Sequence, residues 1–332
     1  MNLLRGTMAS IDDTPTRAGA ATIAGGVPYG HVSEVQRARI LSAAIDAIKA
    51  TGYARLTVAQ VISRAKVSRK TFYDLFEDRE DCFLAVFEAT LGQIGARVIE
   101  AYGRERTWRE AVRAALAALL QFIDEDRELA RLCIVDALGG GERVLERRSR
   151  TIAALRDVMD LAHKVPGARL DPPGVTAEGV IGAVLAVLHA RLLERSDKPY
   201  IDLHGSLMSM IVLPYLGSRV AASELRRRPP RLHVPAGDSH PVAADPMAGL
   251  DMRLTYRTVR VLTVIRQRPG ASNREVADGA GIADQGQISK LLARLEGLGL
   301  AENTDGAMGK GAPNEWRLTE RGERVERATR PM

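Results

Sequence analysis

Residues 57–81, TVAQVISRAKVSRKTFYDLFEDRED, constrain this chain more than any other stretch. Thr57 and Gln60 have the T-x-x-Q spacing of a reciprocal N-terminal cap, and Val58, Val61 and Ile62 then fall on one helical face. After Ala65-Lys66-Val67, Ser68 is a good N-cap for a second short helix. Phe72, Leu75 and Phe76 give that helix an apolar side, while Ser68, Arg69, Lys70, Thr71 and Tyr73 crowd another side with donors. Two short helices joined by a three-residue turn, the second carrying exposed donors, form a helix-turn-helix. In that design the second helix enters the DNA major groove, about 12 Å wide, where Arg, Lys and Ser reach base edges. The basic residues Arg64, Lys66, Arg69 and Lys70 set the stretch apart from an ordinary helical hairpin.

The run Val67-Ser68-Arg69-Lys70-Thr71-Phe72-Tyr73, with Phe76 and Arg79-Glu80-Asp81, resembles the signature of TetR-family repressors, from Ser33 to Phe83. The resemblance implies that Thr57, Ser68, Arg69, Lys70, Thr71 and Tyr73 contact DNA. It also implies that Arg79 meets a phosphate, helped by the N-terminus of the helix it opens. Two positions depart from the pattern. The turn usually has Gly where this chain has Lys66, which costs ~1 kcal/mol if the residue is left-handed. Leu75 replaces a frequent His, so one expected phosphate contact is missing.

Composition supports helices. Aromatics are only 4% of 332 residues, and Ala, Leu and Arg are the commonest residues, all good helix formers. The net charge of +6 permits nucleic-acid binding without requiring it. Cys82 and Cys133 are the only cysteines, so neither a disulfide framework nor a cysteine-based metal site is expected, and a reducing, cytoplasmic location fits. Cys82 reads as a packing residue. The most apolar run, Gly179 to Ala190, is too short to span a bilayer and holds His189, so no membrane partner is expected. No G-x-S-x-G, H-E-x-x-H or phosphate-loop pattern occurs. We therefore expect no catalytic residues, no metal, no cofactor and no enzyme activity.

In order, residues 1–32 lack an apolar period and read as a disordered N-terminal arm. Ser33 and Gln36 have capping-box spacing, and Ile40, Leu41, Ala44, Ile45 and Ile48 define a first helix ending at Gly52. Residues 33–81 form the helix-turn-helix domain, and 82–225 a helical body. That body opens with a long helix through Phe83, Phe87, Leu91, Ile94 and Val98. Thr107 and Glu110 then cap the next, and further helices run near 126–138, 142–163 and 176–195. Gly139-Gly140-Gly141 reads as a corner between helices. The segment 179–193 is apolar nearly all round and needs cover, and Pro214 must kink or end the helix after it. In the resembled family, such bodies dimerise through their last two helices and hold a small-molecule pocket. His189 and Trp108 are each read as either packing residues or pocket groups. Residues 226–249 form a Pro-rich linker.

Residues 250–332 repeat the theme. Leu254, Val259, Leu262 and Ile265 mark a helix, Ser272 to Glu275 a capping box, and Ala280-Gly281-Ile282 a turn parallel to Ala65-Lys66-Val67. A third helix, Asp284 to Leu298, precedes two expected strands at 300–304 and 314–318, with a hairpin tip between them. Thr319 caps a last helix. This order, with Leu291 to Leu300 and Leu318-Thr319 before Gly322, is similar to the MarR-like winged-helix group. Gln285, Gln287, Ser289, Lys290, Arg294 and Lys310 are candidates for a second DNA contact. The many acids here leave a protein partner as the other reading.

The fold class expected is therefore mainly α: a TetR-like head, a helical dimerisation and ligand body, and a small α+β winged helix. The function expected is a homodimeric transcriptional regulator, a repressor, that binds a double-stranded operator with helix 68–76 and responds to an unidentified small-molecule effector. The alternative is a regulator or scaffold whose winged helix binds a protein.

Overall fold

A computed structural model describes residues 29–164, 174–194, 197–230, 252, 255–304 and 314–329. They form two compact units. The first holds the described residues of 44–57 and 78–230; the second holds those of 29–43, 58–77 and 252–329. Most of the expected arm, most of the linker, both proline turns around residues 166 and 172, and the hairpin tip with Lys310 lie outside the described residues.

Helix α1 spans Tyr29–Thr51, so it begins before Ser33, which sits inside the helix instead of capping it. Tertiary packing supports the extra turn. Val32 and Val35 are buried in one apolar core with Met252, Val259 and Leu262. Arg39 is only 2% exposed and donates to the Met252 carbonyl at 3.1 Å. Gly52 stops the helix as expected, with φ 77° and its N–H bonded to the Ile48 carbonyl at 2.7 Å.

Helices α2 (Val58–Ala65) and α3 (Arg69–Leu75) follow. Lys66 between them has φ 53°, the left-handed value found among the described residues otherwise only at glycines. Val67 N–H then reaches back to the Ile62 carbonyl at 3.3 Å, satisfying a carbonyl at the helix end. Ser68 caps α3 through its side chain, which accepts from Thr71 N–H at 2.9 Å. Phe72 is fully buried and packs on Phe76, their ring centroids 5.6 Å apart.

The body is helical throughout its described part: α4 (Arg79–Gly103), α5 (Trp108–Glu125), α6 (Arg127–Ile134), α7 (Glu142–Asp160), α8 (Thr176–Glu194) and α9 (His204–Glu224). Asp78, Thr107 and Asp126 cap α4, α5 and α6 by accepting from the N–H three residues on. Glu110 does not complete a box with Thr107; its carboxylate takes Arg227 instead, at 2.8 and 3.2 Å. The triple glycine is a corner between a 3-10 turn, Asp136–Gly139, and α7. A side chain on Gly141 would collide with the Glu80 carboxylate, 2.3 Å from its Cβ position. α9 breaks at Gly217 (φ 79°) and continues to Glu224, with Pro214 in the turn before the break. By length and apolarity, α4 and α8 both qualify as membrane spans. Both put residues on the cavity described below, which accounts for part of that apolar surface.

The C-terminal segment comprises α10 (Tyr256–Gln267), α11 (Asn273–Ala280), α12 (Gln285–Gly297), strands β1 (Ala301–Asn303) and β2 (Trp316–Leu318), and α13 (Glu320–Ala328). The strands are antiparallel, with Ala301 opposite Leu318 and Asn303 opposite Trp316. Ser272 and Glu275 form the full capping box, and Thr319 caps α13. The α11–α12 turn repeats the α2–α3 turn: Gly281 has φ 65°, and Ile282 N–H bonds the carbonyl of Ala277 at 2.9 Å. Gly322 is required because a Cβ there would lie 1.9 Å from the Leu300 carbonyl oxygen.

Candidate DNA-reading surface and effector cavity

Helix α3 divides cleanly. Phe72 is buried, while Arg69, Lys70, Tyr73 and Asp74 are exposed. Lys70 pairs with Asp74 at 3.0 Å, both ends in water, and such an i,i+4 pair is worth only a few tenths of a kcal/mol. It yields readily to a phosphate. Ser68 and Thr71 are partly engaged with one another, their hydroxyls 2.8 Å apart. Their first role is to cap the helix; Arg69, Lys70 and Tyr73 are the freer donors.

Thr57 and Arg79 belong to the body unit. Thr57 is exposed. Arg79 is exposed too, but its guanidinium donates to the Leu56 carbonyl at 3.1 Å and lies over the Tyr53 ring, 5.0 Å from the centroid. That arrangement aims the side chain and leaves other donors of its five. Tyr53 in turn stacks on Phe83 at 3.9 Å.

On α12, Gln285, Lys290 and Arg294 are exposed. Gln287 accepts from Arg257 at 3.0 Å, and Ser289 accepts from Asn273 at 3.3 Å. These two therefore have folding partners. Asn273 also accepts from the Trp316 indole N–H at 2.6 Å, tying α11 to the strands.

Inside the body lies a cavity of about 400 Å³. Its wall is almost wholly apolar: Phe87, Leu91, Ile94 and Val98 from α4, Leu116 and Leu119 from α5, Ile152 and Leu155 from α7, and Val184 and Leu185 from α8. Arg148, Thr151, Asp157 and Tyr102 are the few polar side chains on it, with the Cys133 thiol. Burial pushes that thiol far above its ordinary range, so it is an inert wall group and not a nucleophile. Trp108 and His189 are not on the wall. Trp108 is a packing residue, edge-on to Tyr215 at 5.5 Å with its N–H on the Val158 carbonyl at 3.3 Å.

Arg143, at the start of α7, ties that helix to the start of α4. It pairs with Asp78 at 3.1 Å, Asp81 at 3.5 Å and Glu80 at 3.7 Å, while Glu80 also accepts from its backbone N–H at 3.3 Å. The resemblance implied a pocket in the body, but neither its lining nor this knot was legible in the residues, because both arise between segments far apart in the chain. The one local signal was an apolar stripe, Ile152, Leu155 and Val158, on an otherwise charged helix.

A short helix with an exposed donor face has the form of a DNA-reading element, and a partly open apolar cavity has the form of a small-molecule site. Residues 40–86 match the TetR_N family, bacterial regulatory proteins of the tetR family. The chain is similar to the HTH-type transcriptional activator FasR of Mycolicibacterium smegmatis, 25% identical over 195 residues, covering 58% of this chain and 88% of that protein. It is also similar to the fatty acid metabolism regulator protein of Bacillus subtilis, 26% identical over 165 residues, 49% of this chain and 78% of that one. Among solved structures, SmeT, the repressor of the Stenotrophomonas maltophilia efflux pump SmeDEF, aligns with a TM-score of 0.49 at 19% identity, over 61% of this chain and 98% of that one. The family match is confined to residues 40–86, and both curated relatives are regulators by name.

Proposed function

We propose that the protein is a homodimeric, ligand-responsive regulator that reads operator DNA with α3 and holds an apolar effector in the body cavity. The observation that carries this reading is the conjunction of the exposed Arg69, Lys70 and Tyr73 on a buried Phe72 anchor with the match at residues 40–86. Phosphate contacts supply affinity and its salt dependence, base contacts the sequence choice. Arg79 and Thr57 act as positioning contacts to the backbone. A cytoplasmic location follows from the DNA target.

Dimerisation is supported by apolar surface left on the last two body helices. The most apolar window of α8 is only 28% buried, and Leu193 and Leu213 are each about half exposed, at 50% and 48%. A second copy would cover them and present two heads to two half-sites. The effector acts by favouring one spacing of those heads, a population shift. The Bacillus relative's name points to fatty acid metabolism, which suits an effector with a long apolar part. Repression is the sign expected from the sequence, whereas the mycobacterial relative is named an activator; where the bound site lies relative to its promoter decides between them.

We further propose that residues 255–329 form a winged helix that touches DNA with Gln285, Lys290 and Arg294 and, beyond the described residues, Lys310. The matching turns at Lys66 and Gly281 and the antiparallel pair β1–β2 favour this reading. Selection of bound genomic fragments, then footprinting, tests both proposals. Lys70→Ala or Tyr73→Ala in folded protein should weaken the selected site by ~1–3 kcal/mol. Unchanged affinity would remove α3 from the interface. Lys290→Ala with Arg294→Ala should shorten the footprint; an unchanged one would favour a protein partner for this segment.

A further inference from the structure

Arg148 stands out on the cavity wall. Of the arginines along α7, Arg143 pairs with three carboxylates, Arg147 with Glu88 at 3.4 Å and Arg156 with Glu178 at 3.1 Å. Arg150 is exposed to solvent and away from the cavity. Arg148 is half-buried on the wall and makes no ion pair or hydrogen bond with any other described residue.

Its position on the helix sets the rest. Arg148, Ile152, Leu155 and Met159 follow one another at i, i+4, i+7 and i+11 and all line the cavity, so they form one stripe about 16 Å long at 1.5 Å per residue. The stripe has a cation at one end and hydrocarbon along the remainder. The wall's one carboxylate among the described residues, Asp157, lies toward the far end and faces Arg156 at 3.9 Å. A guanidinium bordering so much apolar surface gains most from a planar anion that it can grip bidentately, since the apolar wall displaces water and no carboxylate among the described residues pairs with it.

We propose that Arg148 is the head-group anchor of this cavity and that its ligand is an anionic amphiphile, a single long apolar chain ending in a carboxylate or phosphate. The proposal rests on the reading of the cavity as an effector site. The chain runs along the α7 stripe between α4 and α8, and the anion sits on the Arg148 guanidinium. α7 then feels the ligand along its length, and its first turn carries the Arg143 knot to Asp78, Glu80 and Asp81.

The test is isothermal titration calorimetry of the full-length protein with dodecanoate and dodecyl phosphate, each below its micelle concentration, and dodecan-1-ol below its solubility limit. Wild type, Arg148→Gln and Arg148→Lys are compared. The wild type should bind at least one anion about tenfold or more tightly than the alcohol, the scale of one charge-assisted hydrogen bond. Arg148→Gln should abolish that preference while leaving alcohol binding as it was, and Arg148→Lys should restore part of it. Whichever anion binds more tightly identifies the source of the head group. Equal binding of acid and alcohol by the wild type would overturn the anchor but keep the cavity as an apolar site. A preference that survives Arg148→Gln would do the same, showing that Arg148 contributes only its stem to the wall. Binding of none of the compounds would overturn the effector reading itself.

Discussion

Glu224, the last residue of α9, has no exposed surface, and Arg113 is 3% exposed. The carboxylate takes Arg109 at 2.5 Å on one oxygen and Arg113 more closely on the other, with Arg227 at 3.6 Å. Glu224→Gln keeps the shape and removes the charge, so Arg109 loses its ion pair and Arg113 keeps only the longer one to Glu110, at 3.5 Å. Breaking a buried pair from one side costs ~3–5 kcal/mol. The lower end applies here, because Arg109 is 27% exposed and Arg113 keeps the Arg228 carbonyl at 2.9 Å. At a urea m-value of ~1–3 kcal/mol/M, ~3 kcal/mol shifts the midpoint by roughly 1–3 M. The chain has two tryptophans, so in a Trp316→Phe background Trp108 reports on the body alone. Pairing Arg113→Met with Glu224→Leu should recover most of the loss, since well-packed apolar replacements of a buried pair are often neutral. A single-variant loss under ~1 kcal/mol, or a double variant as weak as the single, would show that this cluster is not what holds α9 to α5.

Other expectations are simpler to state. Phe72→Ala should destabilise the helix-turn-helix by ~3–5 kcal/mol, seen as fast amide exchange in α2 and α3; slow exchange would mean that the faces of α3 are reversed. Lys66→Gly relieves a left-handed residue, ~1–2 kcal/mol, against ~0.4–1 kcal/mol of added freedom in the unfolded chain, so exchange in the same helices should slow slightly, and faster exchange would refute the strain. His204 is fully buried with its Nε2 2.9 Å from the Arg113 carbonyl, and burial pushes its pKa below 6.5. Its neutral form therefore stabilises the fold fully above pH 6.5, and this contribution is lost as pH falls and the unfolded chain takes the proton first. His204→Gln should flatten that acid-side decline in melting temperature, and an unchanged slope would assign it to other groups.

The helices were legible wherever a local signal was strong. Ser68, Thr107, Ser272 and Thr319 each cap the helix that begins after them, and the apolar period marked the buried faces. What misled was a local signal overruled from a distance. Ser33 has the right spacing for a cap, but Val32 and Val35 are buried against residues more than two hundred positions away, and helix continues through both. The same cause hid the cavity's lining, the Arg143 knot and the Glu224 cluster, whose partners are joined by folding alone. On α3 the donors Arg69, Lys70 and Tyr73 were readable, since one short helix can have only one buried side. That Ser68 and Thr71 would spend their hydroxyls on one another was not.

The shared core of α1 and the C-terminal segment also bears on how this chain can be cut. Removing everything after the linker would take away Met252, Val259 and Leu262, bare Val32 and Val35 to water, and remove the carbonyl to which the Arg39 guanidinium donates. A shortened protein that lost its operator would then be reporting a damaged first helix as much as a missing second module. Boundaries drawn along the sequence are not seams in this molecule, and point substitutions on exposed faces are the cleaner instrument.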